Sequence, residues 1–244
     1  MKRTCFGIVV SAFVLLALSA AGRVDAAPIE LIVNGGFETG DFTGWTVTHA
    51  EPANITGSVY VSSALVTPVS NHATVGPASG TYYAVSDQNG HGVRLITQTF
   101  TVPGPLSVML SFDMFVNDQD AGPFINPAGL DYTAMPNQHA RVDLLTAGAS
   151  PYDTGAGVLA NFYLGIDPRP NPNPYTHYVF DITPFVGGGG TYQLRFAEVD
   201  NQLFFNQGVD NVSVLAEVPE PATLLLLGAV LTGAGAYRRR RRRD

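Results

Sequence analysis

Leu106, Val108, Leu110, Phe112, Met114 and Val116 put an apolar side chain at every second position. A strand sends successive side chains to opposite faces, so this run describes a β-strand with one face buried; a helix would repeat at about 3.6 residues. The same character recurs in Ser58–Ser62, Thr81–Ser86, Val93–Val102, Ala140–Thr146, Tyr175–Ile182, Thr191–Val199 and Val209–Leu215, all rich in Val, Ile, Thr, Tyr and Phe. Clusters of Gly, Pro, Asn and Asp separate them. In Thr191–Val199 the residues Tyr192, Leu194 and Phe196 share one face, with Glu198 at its end. No amphipathic helical stripe occurs between Ala27 and Val218, so the expected fold is all-β, a sandwich or jelly roll. The stretch is long enough for one such domain with a sizeable core.

The chain ends read differently. Lys2 and Arg3 precede the apolar run Phe6–Leu18, and Val24-Asp25-Ala26 offers the residues a signal peptidase reads. Residues 1–26 are therefore expected to be a signal peptide cut after Ala26. At the other end Pro219-Glu220-Pro221 leads into Ala222–Tyr237, an uncharged run near the lower limit of about 17 residues for crossing a hydrocarbon core. Arg238, Arg239, Arg240, Arg241, Arg242 and Arg243 follow. The expectation is a single transmembrane helix at 222–237, cytoplasmic arginines at 238–243, and an ectodomain at 27–218 held outside the membrane. Cys5, the one cysteine, falls within the signal peptide, so disulfides cannot brace the exported part.

Those ends also carry most of the positive charge. Of 13 Lys and Arg only Arg94, Arg141, Arg169 and Arg195 lie between Ala27 and Val218, where 17 of the 20 acids remain. Such a surface repels a phosphate backbone, which excludes nucleic acid as a partner. Carboxylates in an exported chain suggest calcium, the hard cation that oxygen ligands suit; solubility through net charge accounts for them equally well.

Catalytic patterns are missing. Gly76-Pro77-Ala78-Ser79-Gly80 has its serine one place too late for a nucleophile elbow. His49, His72, His91, His139 and His177 are dispersed without a metalloprotease spacing, and Gly187–Gly190 lacks the lysine of a phosphate loop, reading instead as a turn between strands. No enzymatic activity is expected. Three long connections, Glu51–Gly80, Asn117–His139 and Asp167–Pro174, are the natural places for binding residues. Asp118, Asp120, Phe124, Asn126 and Tyr132, all in Asn117–His139, are the candidates, with Tyr152 and Tyr163 beside loops: aromatic faces for stacking on sugar rings and polar groups for hydroxyls, while Trp45 reads as core.

Two resemblances organise these readings. Pro219-Glu220-Pro221, a short apolar span and an arginine cluster together resemble the PEP-CTERM sorting signal. That implies recognition by an exosortase, cleavage near the Pro-Glu-Pro motif and transfer to the cell envelope or extracellular matrix. Asn34-Gly35-Gly36-Phe37-Glu38 with Gly44-Trp45 is similar to the opening of galactose-binding-like jelly rolls, among them carbohydrate-binding modules. Gly208-Val209-Asp210-Asn211-Val212-Ser213-Val214 resembles their last strand, and Leu95–Phe100 and Leu106–Asp113 their central ones. The resemblance implies a structural calcium bridging the first and last strands through Glu38 and Asp210, with a backbone carbonyl around Asn34–Gly36 and with Asp87 as a further ligand. Read as ordinary residues, Glu38 would cap a turn and Asp210 would bond backbone. The resemblance leaves two functions open, a glycan-binding module for exopolysaccharide and a structural or adhesive matrix protein with no discrete ligand; a glycoside-acting enzyme would need two carboxylates facing each other in an open cleft.

Overall fold

The computed structural model describes residues 27–119, 124–125 and 129–217. The signal peptide, the Pro-Glu-Pro motif with its span and arginines, and the candidates Asp120 and Asn126 lie outside the described residues.

Eleven strands form two antiparallel sheets. They are β1 (Ile29–Glu30), β2 (Thr46–Ala50), β3 (Gly57–Ser62), β4 (Tyr83–Gln88), β5 (Gly92–Val102), β6 (Ser107–Asp118), β7 (His139–Thr146), β8 (Val158–Gly165), β9 (Thr176–Asp181), β10 (Gly190–Asp200) and β11 (Phe205–Glu217). One sheet runs β3-β4-β11-β6-β9; β4 pairs with β11 around Gly208 and β1 pairs with it around Leu215. The other runs β2-β5-β10-β7-β8. Neighbours in each sheet are mostly distant in sequence, the jelly-roll arrangement expected from the strand pattern. The helical element is one turn, α1 (Thr183–Val186), started by a proline at its head. No helix among the described residues is long and apolar enough to cross a membrane.

The alternation in β6 has its expected consequence. Val108, Leu110, Phe112, Met114 and Val116 are buried in the core between the sheets, where Leu194 and Phe196 of β10 meet them. Phe112 stands edge-on to Phe196 at 5.1 Å, and Phe196 lies 6.1 Å from Trp45. Trp45 is core, as read from the sequence, with its indole N–H satisfied by the Asn34 carbonyl at 3.1 Å.

The second sheet is covered on its outer side too. Val93, Leu95, Ala197 and Val199 point away from the main core and form a second apolar cluster with Leu130, packed on by Tyr132 and Tyr152. Both faces of β5 and β10 therefore carry buried apolar side chains, Ile96 and Phe196 on the inner one and Leu95 and Ala197 on the outer.

Candidate functional site

The opening and closing motifs meet. Asn34, Phe37 and Asn211 have positive φ (53°, 57° and 50°), tight bends that asparagine tolerates better than most residues. Asn211 lies in the irregularity of β11 between Asp210 and Ser213. Gly35 packs directly on that irregularity, accepting the Val212 N–H at 2.9 Å.

From this junction two carboxylates reach one loop. Glu38 accepts the Thr81 N–H (2.9 and 3.1 Å to its two oxygens) and the Tyr82 N–H (2.9 Å). Asp210 accepts the Ala78 and Ser79 N–H groups on Oδ2 (2.9 and 3.1 Å) and the Asn211 N–H on Oδ1 (2.7 Å). Burial pushes the Asp210 carboxyl up to about 6 against these amides, and the charge of Asp113 adds to the rise. Glu38 and Asp210 therefore do what ordinary residues there would do, Glu38 capping the turn at Thr81–Tyr82 and Asp210 accepting backbone N–H groups. Glu38 Oε2 and Asp210 Oδ1 each accept one of the bonds described, so each has a lone pair left for a cation, and Gly36 lies against both side chains. The donor set fits calcium in part. The other oxygens would have to come from backbone or water, because among the described residues no three acidic, histidine or cysteine side chains gather to hold a metal.

Asp87 and Asn34 take different places. Asp87 accepts Val69 N–H (2.5 Å), Ser70 N–H (2.9 Å), Ser70 Oγ–H (2.5 Å), Gln88 N–H (3.0 Å) and Asn206 Nδ2 (3.2 Å), so it pins the loop before β4. The Asn34 side chain bonds the Asp41 and Thr43 carbonyls and the Thr39 N–H within its own turn.

The sugar-stacking candidates are dispersed. Asp118 is buried at the end of β6, opposite Phe205. Phe124 makes an isolated bridge with Gln138. Tyr132 leans on the outer apolar cluster with its ring 6.0 Å from that of His91, and Tyr163 packs edge-on to Tyr178.

A cleft of about 430 Å³ opens where β4 turns into β5 and β10 turns into β11. Its lining includes Ser70 and His72 from the loop that Asp87 pins, Gln88, His91, Asp200 and Phe204. The His72 and Phe204 rings stack at 3.7 Å. Gln88 fixes the floor: its Nε2 donates to Glu198 Oε2 (3.4 Å), Asp200 Oδ2 (3.3 Å) and the Phe205 carbonyl (3.1 Å). Asp200 Oδ1 accepts the Gln202 N–H at 3.0 Å. Burial raises the Glu198 carboxyl well above its ordinary range, opposed by Arg94, which stands opposite it in the β5–β10 register. Glu198 and Asp200 both accept from Gln88 Nε2, but Glu198 is wholly buried and does not line the cleft, so the two do not face each other across it. The Glu51–Gly80 and Asn117–His139 connections supply Ser70, His72 and Gln119, but sequence reasoning missed the rest of the site because its residues come from separated turns with no diagnostic spacing.

Under the outer loops lies a third polar constellation. Asp143 is fully buried and bonded by Arg141 (2.7 and 2.8 Å), Arg195 (3.0 and 2.5 Å) and Asn161 (2.9 Å). Burial alone would raise its carboxyl; the two guanidinium groups outweigh that and hold it below the usual range. Arg195 also donates to the Pro151 and Asp153 carbonyls, both at 2.7 Å, tying the covering loop to β10.

Comparison with known proteins adds the following. Residues 217–242 match the PEP-CTERM protein-sorting motif. No curated protein matches the chain in sequence. Among solved structures the chain is similar to TmCBM61 in complex with β-1,4-galactotriose (12% identity, TM-score 0.47, 78% of this chain and 99% of that one). It is also similar to the K3 cleaved adhesin domain of Lys-gingipain from Porphyromonas gingivalis (15%, 0.46, 78% and 99%). A cyclase from Fischerella sp. TAU shows the same degree of likeness (20%, 0.46, 80% and 100%). Similarity at this level reaches a sugar complex, an adhesin domain and a cyclase alike, and assigns none of their activities.

Proposed function

We propose that this chain, which carries a PEP-CTERM sorting motif, is a non-catalytic exported protein whose end cleft binds a glycan of the cell envelope or exopolysaccharide matrix. The observation that supports the reading is the cleft itself, of ligand size, with an aromatic stack on one side and amide, imidazole and carboxylate groups on the others. Aromatic faces suit the apolar side of a sugar ring, and the polar groups suit its hydroxyls. The proposal includes signal peptidase removing residues 1–26, temporary anchoring by 222–237, and exosortase cutting near Pro219–Pro221. A glycoside-acting alternative would need a second carboxylate in this cleft, and Glu198 is buried away from it.

Calorimetric titration tests this with the full chain in a detergent that has no sugar headgroup. At least one of glucose, N-acetylglucosamine, glucosamine and glucuronate tetramers is expected to bind, and Phe204→Ala to weaken that binding tenfold or more. Silence across the panel would favour a structural matrix protein.

We also propose that calcium reinforces the clamp made by Glu38 and Asp210. A site saturated a hundredfold adds about 2.7 kcal/mol, so chelation is expected to lower the unfolding midpoint by roughly 5–10 °C. In Glu38→Gln the chelator should have little further effect. An unchanged midpoint in the wild type would mean that the loop amides alone hold the junction.

A further inference from the structure

We propose that two copies of this chain join through β9, edge to edge and antiparallel, about a two-fold axis at Val179. The inference is independent of the glycan reading. β9 ends the sheet β3-β4-β11-β6-β9, so among the described residues no strand lies on its outer side. The Ile182 N–H donates to the Val108 carbonyl at 2.9 Å, and these two residues continue the β6–β9 register by one step. Bonded and non-bonded pairs alternate along an antiparallel ladder. Phe180 and Tyr178 therefore bond β6, while His177, Val179 and Asp181 turn their N–H and C=O groups to the open edge. Natural sheets shield such an edge with lysine, proline or a bulge. β9 contains neither residue, and its register to β6 is unbroken. The edge strand β8 of the other sheet, by contrast, is interrupted by two register irregularities.

The sequence of β9 is complementary to itself. Placing Val179 opposite the partner's Val179 sets His177 opposite the partner's Asp181, and Asp181 opposite the partner's His177. These are the residues whose backbone groups face outward, so strand pairing and charge pairing select the same register. His177 is exposed and meets Asp113 through Nδ1 at 2.7 Å; as an imidazolium it has Nε2–H to donate to the partner's Asp181. On the core side Tyr178 falls opposite the partner's Phe180 in a non-bonded pair, where cross-strand side chains approach most closely. Both rings are only partly buried against the core, so pairing covers aromatic surface that one sandwich leaves open. A slip of one residue sets His177 opposite the partner's Phe180 and removes both matches.

Sedimentation of the full chain in density-matched detergent, at concentrations up to about 0.5 mM to suit a small interface, is expected to show a monomer–dimer equilibrium. Val179→Lys should weaken it about tenfold or more, because two ammonium groups then meet at the axis. Its unfolding midpoint should stay unchanged, since Val179 is 53% exposed. In a Cys5→Ser background, Val179→Cys should give a disulfide-linked dimer on mild oxidation, because bonded cross-strand residues stand about 5.5 Å apart. Leu203→Cys, exposed beside the cleft, should give none. A monomer throughout the concentration range would overturn the proposal. So would a dimer that Val179→Lys leaves intact, or a Val179→Cys chain that stays unlinked on oxidation.

Discussion

Asp143→Ala is expected to cost about 3–5 kcal/mol of folding stability, because it strands buried guanidinium groups with no carboxylate to neutralise them. Arg195 is fully buried and Arg141 nearly so, and Asp143 accepts from both at once. For a domain of this size that loss moves the unfolding midpoint down by roughly 10 °C. The prediction concerns the removal of one partner, and does not rank the cluster as a good stabiliser. Apolar residues in place of all three groups, as in Arg141→Met, Asp143→Leu, Arg195→Met, should recover much of the loss. Even so, the loop at Pro151–Asp153 would loosen without its tie to Arg195. Thermal and denaturant unfolding of both variants measures this; a single-site loss under about 1 kcal/mol would show that the cluster is solvated.

The second large effect is expected at Gly35. A Cβ there would stand 1.8 Å from the Val212 carbonyl oxygen, a backbone atom of the last strand that cannot swing aside. Overpacking of this kind typically costs about 1–3 kcal/mol, and a backbone-on-backbone clash belongs at the top of that range or above it. Gly35→Ala must also disturb the bond from Val212 N–H to Gly35 O, which joins the first segment to β11. Gly36 supplies the control, since its Cβ would meet nothing closer than 3.7 Å. Gly36→Ala should therefore be mild, and equal losses at the two positions would refute the explanation.

These two glycines show what could be read from the sequence and why. The Asn-Gly-Gly motif and the Val-Asp-Asn motif stood out individually, but only the fold shows that one rests on the other's carbonyl. Eight strands were legible because their burial imposes alternation or continuous apolar runs. The three that were not are β1, two residues long, and β2 and β8, edge strands of the second sheet. An edge strand such as Thr46–Ala50 buries too little to leave a pattern. The Asn117–His139 connection drew attention by its length, yet Leu130 and Tyr132 within it serve as a cover for the second sheet. The apolar outer residues of β5 and β10 carried that signal. The cleft left none, because Gln88, His91, Asp200 and Phe204 acquire their meaning only where two strand turns stand side by side.

The last strand has a mechanical consequence. β11 starts at Phe205 beside the cleft and continues for 13 residues to Glu217, where the sorting motif begins. At about 3.3 Å per residue that is roughly 40 Å. A pull exerted between a ligand in the cleft and the chain's C-terminal end would run along β11 itself. Its ladders to β6, β4 and β1 would then be loaded in shear, all together, instead of being unzipped one bond after another.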